Sequence, residues 1–188
     1  MNKRQFRSDD PERRQWQDPE KILTSLGVVP GMVFIDVGCG DGYFAIPAAR
    51  MVGPQGNVYA VDSDADAIQR LQEQAAREGL DHLFSEVREA EETVVCEGCA
   101  DIVFFGIDLH DFRDPARVLL NAKKMLRLQG HLIDLDWKDQ AMEFGPPLQK
   151  RFSIDKARYL IESAGFEIAS VTDAGPYHYL IIAVQKNQ

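Results

Sequence analysis

Apolar runs of strand length alternate with segments of helical spacing along most of the chain, a pattern typical of α/β proteins. The apolar runs predict strands over seven ranges: Met32–Val37, Asn57–Val61, Leu83–Val87, Asp101–Phe105, His131–Leu135, Phe166–Thr172 and Tyr177–Val184. Capping residues and helical spacing predict helices over five others: Pro19–Leu26, Tyr43–Val52, Asp64–Gly79, Pro115–Leu128 and Ser153–Ala164. A short turn at Gly175-Pro176 joins the last two strands, which we expect to form an antiparallel hairpin.

This alternation predicts an α/β fold: a doubly wound, mostly parallel seven-stranded sheet with helices on both faces and an antiparallel C-terminal hairpin. A length of 188 residues suits one domain, with residues 19–188 as its core and residues 1–18 as an N-terminal extension or lid. The N-terminal segment is compatible with a lid over a ligand, and equally with a surface helix whose tryptophan packs on the sheet. Both interpretations of this segment concern Arg13, Arg14, Trp16 and Gln17.

Composition narrows the possible partners. The chain carries 30 acidic and 21 basic residues, a formal net charge of −9, which disfavours nucleic acid as a partner. Acids interrupt the one basic cluster, which consists of Arg4, Arg7, Arg13 and Arg14. The N-terminus has no apolar signal segment, and no apolar run reaches the ~20 residues of a membrane span, so a cytoplasmic location is predicted. Nothing in the pattern indicates an oligomeric state.

The chain has three cysteines, an odd number that predicts free thiols rather than a disulfide framework. Cys96 and Cys99 have the spacing of a metal-ligand pair, but structural zinc needs four ligands and no spaced histidine pair completes the set. A redox pair is expected to open a helix after a strand, whereas this pair precedes a strand. We therefore expect no metal site and an ordinary loop at these cysteines.

The most informative segment is VFIDVGCGDGYF, residues 33–44, in which a strand runs into a glycine-rich turn. Gly38, Gly40 and Gly42 permit a tight turn and let a ligand lie directly against the backbone. The dinucleotide fingerprint requires a glycine or alanine where this chain has Tyr43, so a nicotinamide cofactor is disfavoured. No Gly-Lys-Ser/Thr follows, which excludes a Walker loop.

The segment from Asp36 to Gly42 resembles the first motif of the class I S-adenosylmethionine-dependent methyltransferases, an acid followed by three glycines at alternate positions. The resemblance extends over about residues 20–185 and implies a Rossmann-like sheet of strand order 3-2-1-4-5-7-6. It also implies S-adenosylmethionine as cofactor, S-adenosylhomocysteine as product, and an enzyme of EC class 2.1.1. The loop residues implied to hold the methionine part are Asp36, Gly38, Cys39, Gly40 and Gly42, with Asp36 directed at its amino group.

Further candidates follow the second, third and fourth strands. A carboxylate at Asp62 can accept both hydroxyls of a ribose, and Ser63 stands beside it as a further cofactor candidate, while Ser63 or Asp64 can cap the next helix. By resemblance, Glu89 and Ala90 read the adenine edge and Gly106 borders the cofactor; an exposed charged loop would look the same as the Glu89-Ala90 pair.

The sequence does not identify a catalytic base. Asp108 and His110 follow the fourth strand, and a histidine there can relay a proton near neutral pH, or can simply hydrogen-bond the loop. The predicted function is methyl transfer to a small molecule, with a protein acceptor as a further possibility. The alternatives are a non-catalytic S-adenosylmethionine-binding protein and a nicotinamide-dependent reductase.

Overall fold

In the computed structural model, which describes residues 11–143 and 145–186, seven strands form one sheet. In chain order they are β1 (Val33–Val37), β2 (Asn57–Asp62), β3 (Leu83–Val87), β4 (Ala100–Gly106), β5 (Leu126–Trp137), β6 (Phe166–Ala174) and β7 (His178–Gln185). Their order across the sheet is β3-β2-β1-β4-β5-β7-β6, with β7 antiparallel to both of its neighbours and the other pairs parallel. The predicted sheet, its order and its C-terminal hairpin are confirmed.

Six helices accompany the sheet within the described residues: α1 (Pro11–Trp16), α2 (Pro19–Ser25), α3 (Ala45–Val52), α4 (Ala65–Glu78), α5 (Pro115–Met125) and α6 (Ile154–Ser163). Local capping fixes several of their ends. The carboxylate of Asp64 accepts the backbone N–H of Asp66 at the start of α4, and Gly79 ends that helix in left-handed backbone. Ser153 caps α6 in the same way. None of these six helices combines the length and apolarity that a bilayer span requires.

The predicted end of α5 at Leu128 is wrong, because the helix stops at Met125 and β5 begins at the next residue. Leu126 adopts extended backbone and pairs with Ala100 of β4. Gly130 permits this close approach, since a Cβ there would lie 2.6 Å from the carbonyl oxygen of Ala100. Pairing between strands that are distant in the chain therefore overrides the local helical spacing.

The predicted start of α3 at Tyr43 is also early, because the helix begins at Ala45. Tyr43 and Phe44 remain in the turn, with their rings edge to face and their centroids 5.1 Å apart. The hydroxyl of Tyr43 donates to the backbone carbonyl of Gln17. The glycine-rich turn is therefore two residues longer than the sequence predicts, and its second half is tied to the N-terminal segment.

The sheet is buried on both faces. One core cluster includes residues of α2, α3 and α4 together with side chains from one face, such as Phe34 and Phe104. The other includes residues of α5 and α6 with side chains from the opposite face, such as Ile35 and Phe105. This double burial explains the continuous apolar runs, and β4 is buried at every position. Because β1, β2 and β4 run parallel, the loops that follow them lie together at one edge of the sheet.

Trp16 of α1 packs where β5 ends and β7 begins. Its ring stacks on His178 at a centroid distance of 5.4 Å and lies 5.7 Å from Tyr177, edge to face, and 5.9 Å from Trp137. The interpretation of a tryptophan packed on the sheet is therefore confirmed, while a lid function stays a prediction. Of the basic cluster, Arg4 and Arg7 lie outside the described residues.

Cys96 and Cys99 form a disulfide bond, so the expectation of free thiols is wrong for this pair. Gly98 between them has a φ of 60°, and this turn brings the two Cα atoms to 6.1 Å, within the range that a disulfide can bridge. Cys39 is free and buried. The disulfide lies at the amino end of β4, away from the edge that carries the glycine turn. Among the described residues, no group of three or more His, Cys, Asp or Glu side chains is arranged to hold a metal ion.

Gly42→Ala should destabilise the protein more than the control substitution Gly79→Ala. The two glycines have φ values of 94° and 66°, so a side chain at either position carries the left-handed cost of ~1–2 kcal/mol. A Cβ at Gly42 would also lie 2.5 Å from Cδ1 of Leu71, whereas nothing lies within 4 Å at Gly79. Overpacking of this kind adds about 1–3 kcal/mol. Urea unfolding of both variants measures the difference, and equal losses would contradict it.

Candidate functional site

A cavity of about 370 Å³ lies at the carboxyl edge of the sheet, beside the loops that follow β1, β2, β3 and β4. Six of the predicted site residues line it: Gly38, Asp62, Ser63, Glu89, Ala90 and Asp108. Six residues that the sequence did not single out complete the lining: Val61, Arg88, Glu91, Asp111, Phe112 and Arg113. Residues from four separate loops therefore meet at the place where an open α/β sheet binds its ligands.

The glycine turn presents bare backbone to this cavity. Gly38, Gly40 and Gly42 have φ values of 84°, 53° and 94°, which only glycine adopts without strain. The amides of Gly38 and Cys39 both donate to the carbonyl oxygen of Val61, at 2.8 and 3.1 Å, which fastens the turn to β2. Of these residues Gly38 lines the cavity, whereas Gly42 provides room for α4.

Asp62 links the glycine turn to the start of α4. Its Oδ2 accepts the backbone N–H of Gly40 at 2.8 Å, and its Oδ1 accepts that of Asp64 at 2.9 Å. Each carboxylate oxygen has a second lone pair, so both can accept further donors from the cavity. Because Asp64 caps α4, Ser63 has no capping role and lines the cavity beside Asp62.

Asp36 is a buried carboxyl group beneath the turn. It is 1% exposed, and neither of its oxygens has a hydrogen-bond partner among the residues that the structure describes. Burial, reinforced by the charge of Asp62 and opposed by that of Arg13, raises the pKa of Asp36 to about 8. A buried acid with two open acceptors suits a cationic donor, in agreement with its predicted direction toward an amino group.

Two of the acids in the loop after β3, Glu89 and Glu91, have different surroundings. Glu89 lines the cavity and is half-exposed, with Oε2 3.3 Å from Nη2 of Arg113. Glu91 is buried, and its Oε1 accepts the backbone N–H groups of Arg113 and Asp114 at 2.9 and 3.0 Å. Glu91 therefore ties this loop to the start of α5. The sequence did not predict these hydrogen bonds, because nothing in a run of acidic residues indicates which of them is buried.

The loop after β4 is held in an unusual backbone conformation. Ile107 has a φ of 71°, the single positive value among the described residues that are not glycine, and β-branched residues pay a steric cost there. Its amide donates to the carbonyl oxygen of Leu135 at 2.6 Å. The turn places Asp108 against the glycine loop, where a Cβ on Gly38 would lie 2.7 Å from Cγ of Asp108. Gly106 packs against Phe44 and is not part of the cavity lining.

The two catalytic candidates differ in their access to the cavity. Asp108 lines it, and burial, followed by the charges of Asp36 and Asp62, holds the pKa of Asp108 well above its usual range. His110 does not line it, since the side chain is 1% exposed. Its Nδ1 lies 2.7 Å from Oδ1 of Asp136, and its Nε2 lies 3.5 Å from the carboxylate of Asp111 on the cavity wall.

Asp136 was not predicted as part of this constellation. It lies in β5 and is fully buried, as is Asp134 two residues before it. Two aspartates within the otherwise apolar second half of β5 are a signal that could have marked Asp136, since a buried carboxylate needs a partner.

The family model described as a methyltransferase domain matches residues 29–169. The crystal structure of a SAM-dependent (S-adenosylmethionine-dependent) methyltransferase from Aquifex aeolicus is similar to this one, with a TM-score of 0.89. The two chains are 27% identical in sequence, and the match covers 97% of this chain and 100% of the Aquifex chain.

Two curated relatives show lower coverage. Nocamycin O-methyltransferase from Saccharothrix syringae is 29% identical over 60% of this chain and 40% of its own length. Demethylmenaquinone methyltransferase from Halalkalibacterium halodurans is 28% identical over 61% of this chain and 46% of its own length. The chain thus spans less than half the length of these two relatives. The match to the family model and the strand order together show that the chain belongs to the class I S-adenosylmethionine-dependent methyltransferases.

Proposed function

We propose that the protein transfers the methyl group of S-adenosylmethionine to a small molecule. The observation that carries this proposal is that the residues predicted for the adenosine part line one cavity with the glycine turn. Asp62 and Ser63 come from the end of β2, and Glu89 and Ala90 from the end of β3, yet they meet beside Gly38. The hydrogen-bonding chemistry of these groups supports the proposal that the cofactor binds there.

The residues present fit the cofactor. The carboxylate of Asp62 offers open lone pairs to the ribose hydroxyls, and Glu89 with the amide of Ala90 offers an acceptor and a donor to the adenine edge. Gly38 leaves the backbone accessible to the methionine part, and the unpartnered carboxyl group of Asp36 suits its ammonium. When bound, the cofactor supplies a methyl group on a positively charged sulfur; the protein aligns the acceptor and excludes water.

We propose Asp108 as the group nearest to the chemistry. It lies against Gly38 and lines the cavity, so it can contact whatever occupies the methionine end. A bound cation favours the ionised form of a carboxyl group, so Asp108 becomes a base for an acceptor proton only in the loaded site. His110, oriented by Asp136, is proposed to act on the cavity through Asp111 rather than by direct contact.

The small-molecule acceptor is supported by the names of two relatives, which act on nocamycin and on demethylmenaquinone. A cytoplasmic location stays a prediction. A non-catalytic S-adenosylmethionine-binding protein would show the same cavity. Incubation of metabolite mixtures with methyl-labelled cofactor separates the two, because only an enzyme transfers the label. Failure of every mixture and of cell extract to take up label would favour the binding protein.

The protein should be stabilised by S-adenosylmethionine and by S-adenosylhomocysteine. A ligand that binds only the folded state at 100 times its Kd raises the melting temperature by roughly 5–10 °C for a chain of this size. Thermal melts with the two sulfur compounds, and with NAD and NADH as controls, provide the measurement. A shift with the nicotinamides and none with the sulfur compounds would overturn the proposed function.

Asp62→Ala should weaken the binding of S-adenosylhomocysteine about tenfold or more, because charge-assisted hydrogen bonds to the ribose are lost. Asp64→Ala is the matched control, since it removes a carboxylate two residues away and costs α4 its cap, about 1 kcal/mol, without touching the proposed ribose site. Calorimetric titration of both variants compares them. Equal weakening in the two would assign the loss to the loop rather than to the ribose.

Affinity for S-adenosylhomocysteine should rise with pH between pH 6 and 8. Asp36, with a pKa of about 8 in the ligand-free protein, is protonated at lower pH and must ionise to hold an ammonium. Binding then releases a proton, and below that pKa affinity grows by up to about tenfold per pH unit. Asp36→Asn should flatten this profile in calorimetric titrations. A slope that survives the substitution would assign the proton to another group.

A further inference from the structure

Arg13 of α1 is a buried cation at the edge of the glycine turn. The residue is 7% exposed, and its guanidinium carbon lies 3.5 Å from the centroid of the Tyr43 ring. Its Nε donates to Oε1 of Gln17 at 2.8 Å, and Gln17 in turn receives the hydroxyl of Tyr43 at its backbone carbonyl. Stacking and this hydrogen bond fix the plane of the guanidinium and leave its two terminal nitrogens for another acceptor.

Arg13 lacks a direct ion pair within the described part of the chain. Among residues 11–143 and 145–186, no carboxylate lies within 4.0 Å of it, although Asp36, Asp41 and Asp108 act on it from farther away. Burial lowers the pKa of Arg13 to about 10, so the group remains charged at neutral pH. A buried charge without a partner is costly, which indicates that a ligand supplies the missing anion.

Two acid groups near the turn also have oxygens that lack hydrogen-bond partners among the described residues. Both oxygens of Asp36 and Oδ2 of Asp108 are buried without a hydrogen-bond partner. The turn is therefore bordered by a cation and by carboxyl groups that do not pair with each other. A zwitterion, with an ammonium and a carboxylate on one carbon, satisfies both sides at once. The amino-acid end of S-adenosylmethionine has this chemistry.

We propose that Arg13 binds the α-carboxylate of the methionine part of the cofactor, so that α1 covers this end of the occupied site. This inference rests on the proposed function. A guanidinium that presents two N–H groups in one plane matches a carboxylate in bidentate fashion. Trp16, packed on Trp137 and His178, anchors α1 and sets Arg13 at the turn. Arg13 thus makes the site selective for a cofactor that retains its carboxylate.

The test compares S-adenosylmethionine with its decarboxylated form, which lacks only the α-carboxylate, by calorimetric titration of four proteins. These are the wild type, Arg13→Gln, Arg13→Lys and the control Arg14→Gln, whose arginine is exposed and pairs with Glu20 at 2.9 Å. Arg13→Gln should bind S-adenosylmethionine roughly 10–100-fold more weakly and the decarboxylated form as the wild type does. Arg14→Gln should leave both affinities unchanged.

Arg13→Lys keeps the charge but not the planar fork, so its preference for the carboxylated ligand should fall between those of the wild type and Arg13→Gln. This variant carries the test even if Arg13→Gln does not fold. Equal weakening toward both ligands would show that Arg13 only holds α1 in place and would overturn the proposal. Unchanged affinity toward both would overturn it as well. A wild type that binds neither ligand would instead reject the proposed function itself.

Discussion

The site depends on the hydrogen bonds that the carboxylate of Asp62 accepts. It accepts one amide from the glycine turn and one from the start of α4, so two loops that follow different strands share one acceptor group. The same side chain faces the cavity. Its position is set by β2, which pairs in parallel with β1 and β3 and is therefore held on both sides. Loss of this group would loosen the turn and remove a ligand contact together.

Several ionisable groups of the site are buried without a direct partner among the described residues, an arrangement that is costly. Burial, together with the charge of Asp62, raises the pKa values of Asp36 and Asp108, and among the described residues Arg13 forms no ion pair with either of them. Direct pairing would satisfy these groups but would also close the site to a ligand. Buried groups left without a partner lower the free energy of unfolding, a cost that sites arranged for binding commonly carry.

Local patterns predicted most of the fold and part of the site. Caps at Asp64 and Ser153 and the apolar runs depend on neighbouring residues, and so they could be read from the chain. The end of α5 was predicted wrongly because it depends on strand pairing. The disulfide was not predicted because it depends on the path of a loop. The roles of Glu91, Asp136 and Arg13 were not predicted either. Each acquires its role from a contact with a residue far away in sequence, where periodicity carries no information.

The left-handed backbone of Ile107 has a mechanical consequence for the entry of a ligand. A molecule that lies on Gly38 first meets Asp108, whose carboxyl group occupies the adjoining space. Asp108 is held there by the strained turn, which costs ~1–2 kcal/mol and is secured by one hydrogen bond to Leu135. The strained turn thus fixes the carboxyl group of Asp108 beside Gly38 in the ligand-free protein, so its position does not have to be ordered when a ligand binds.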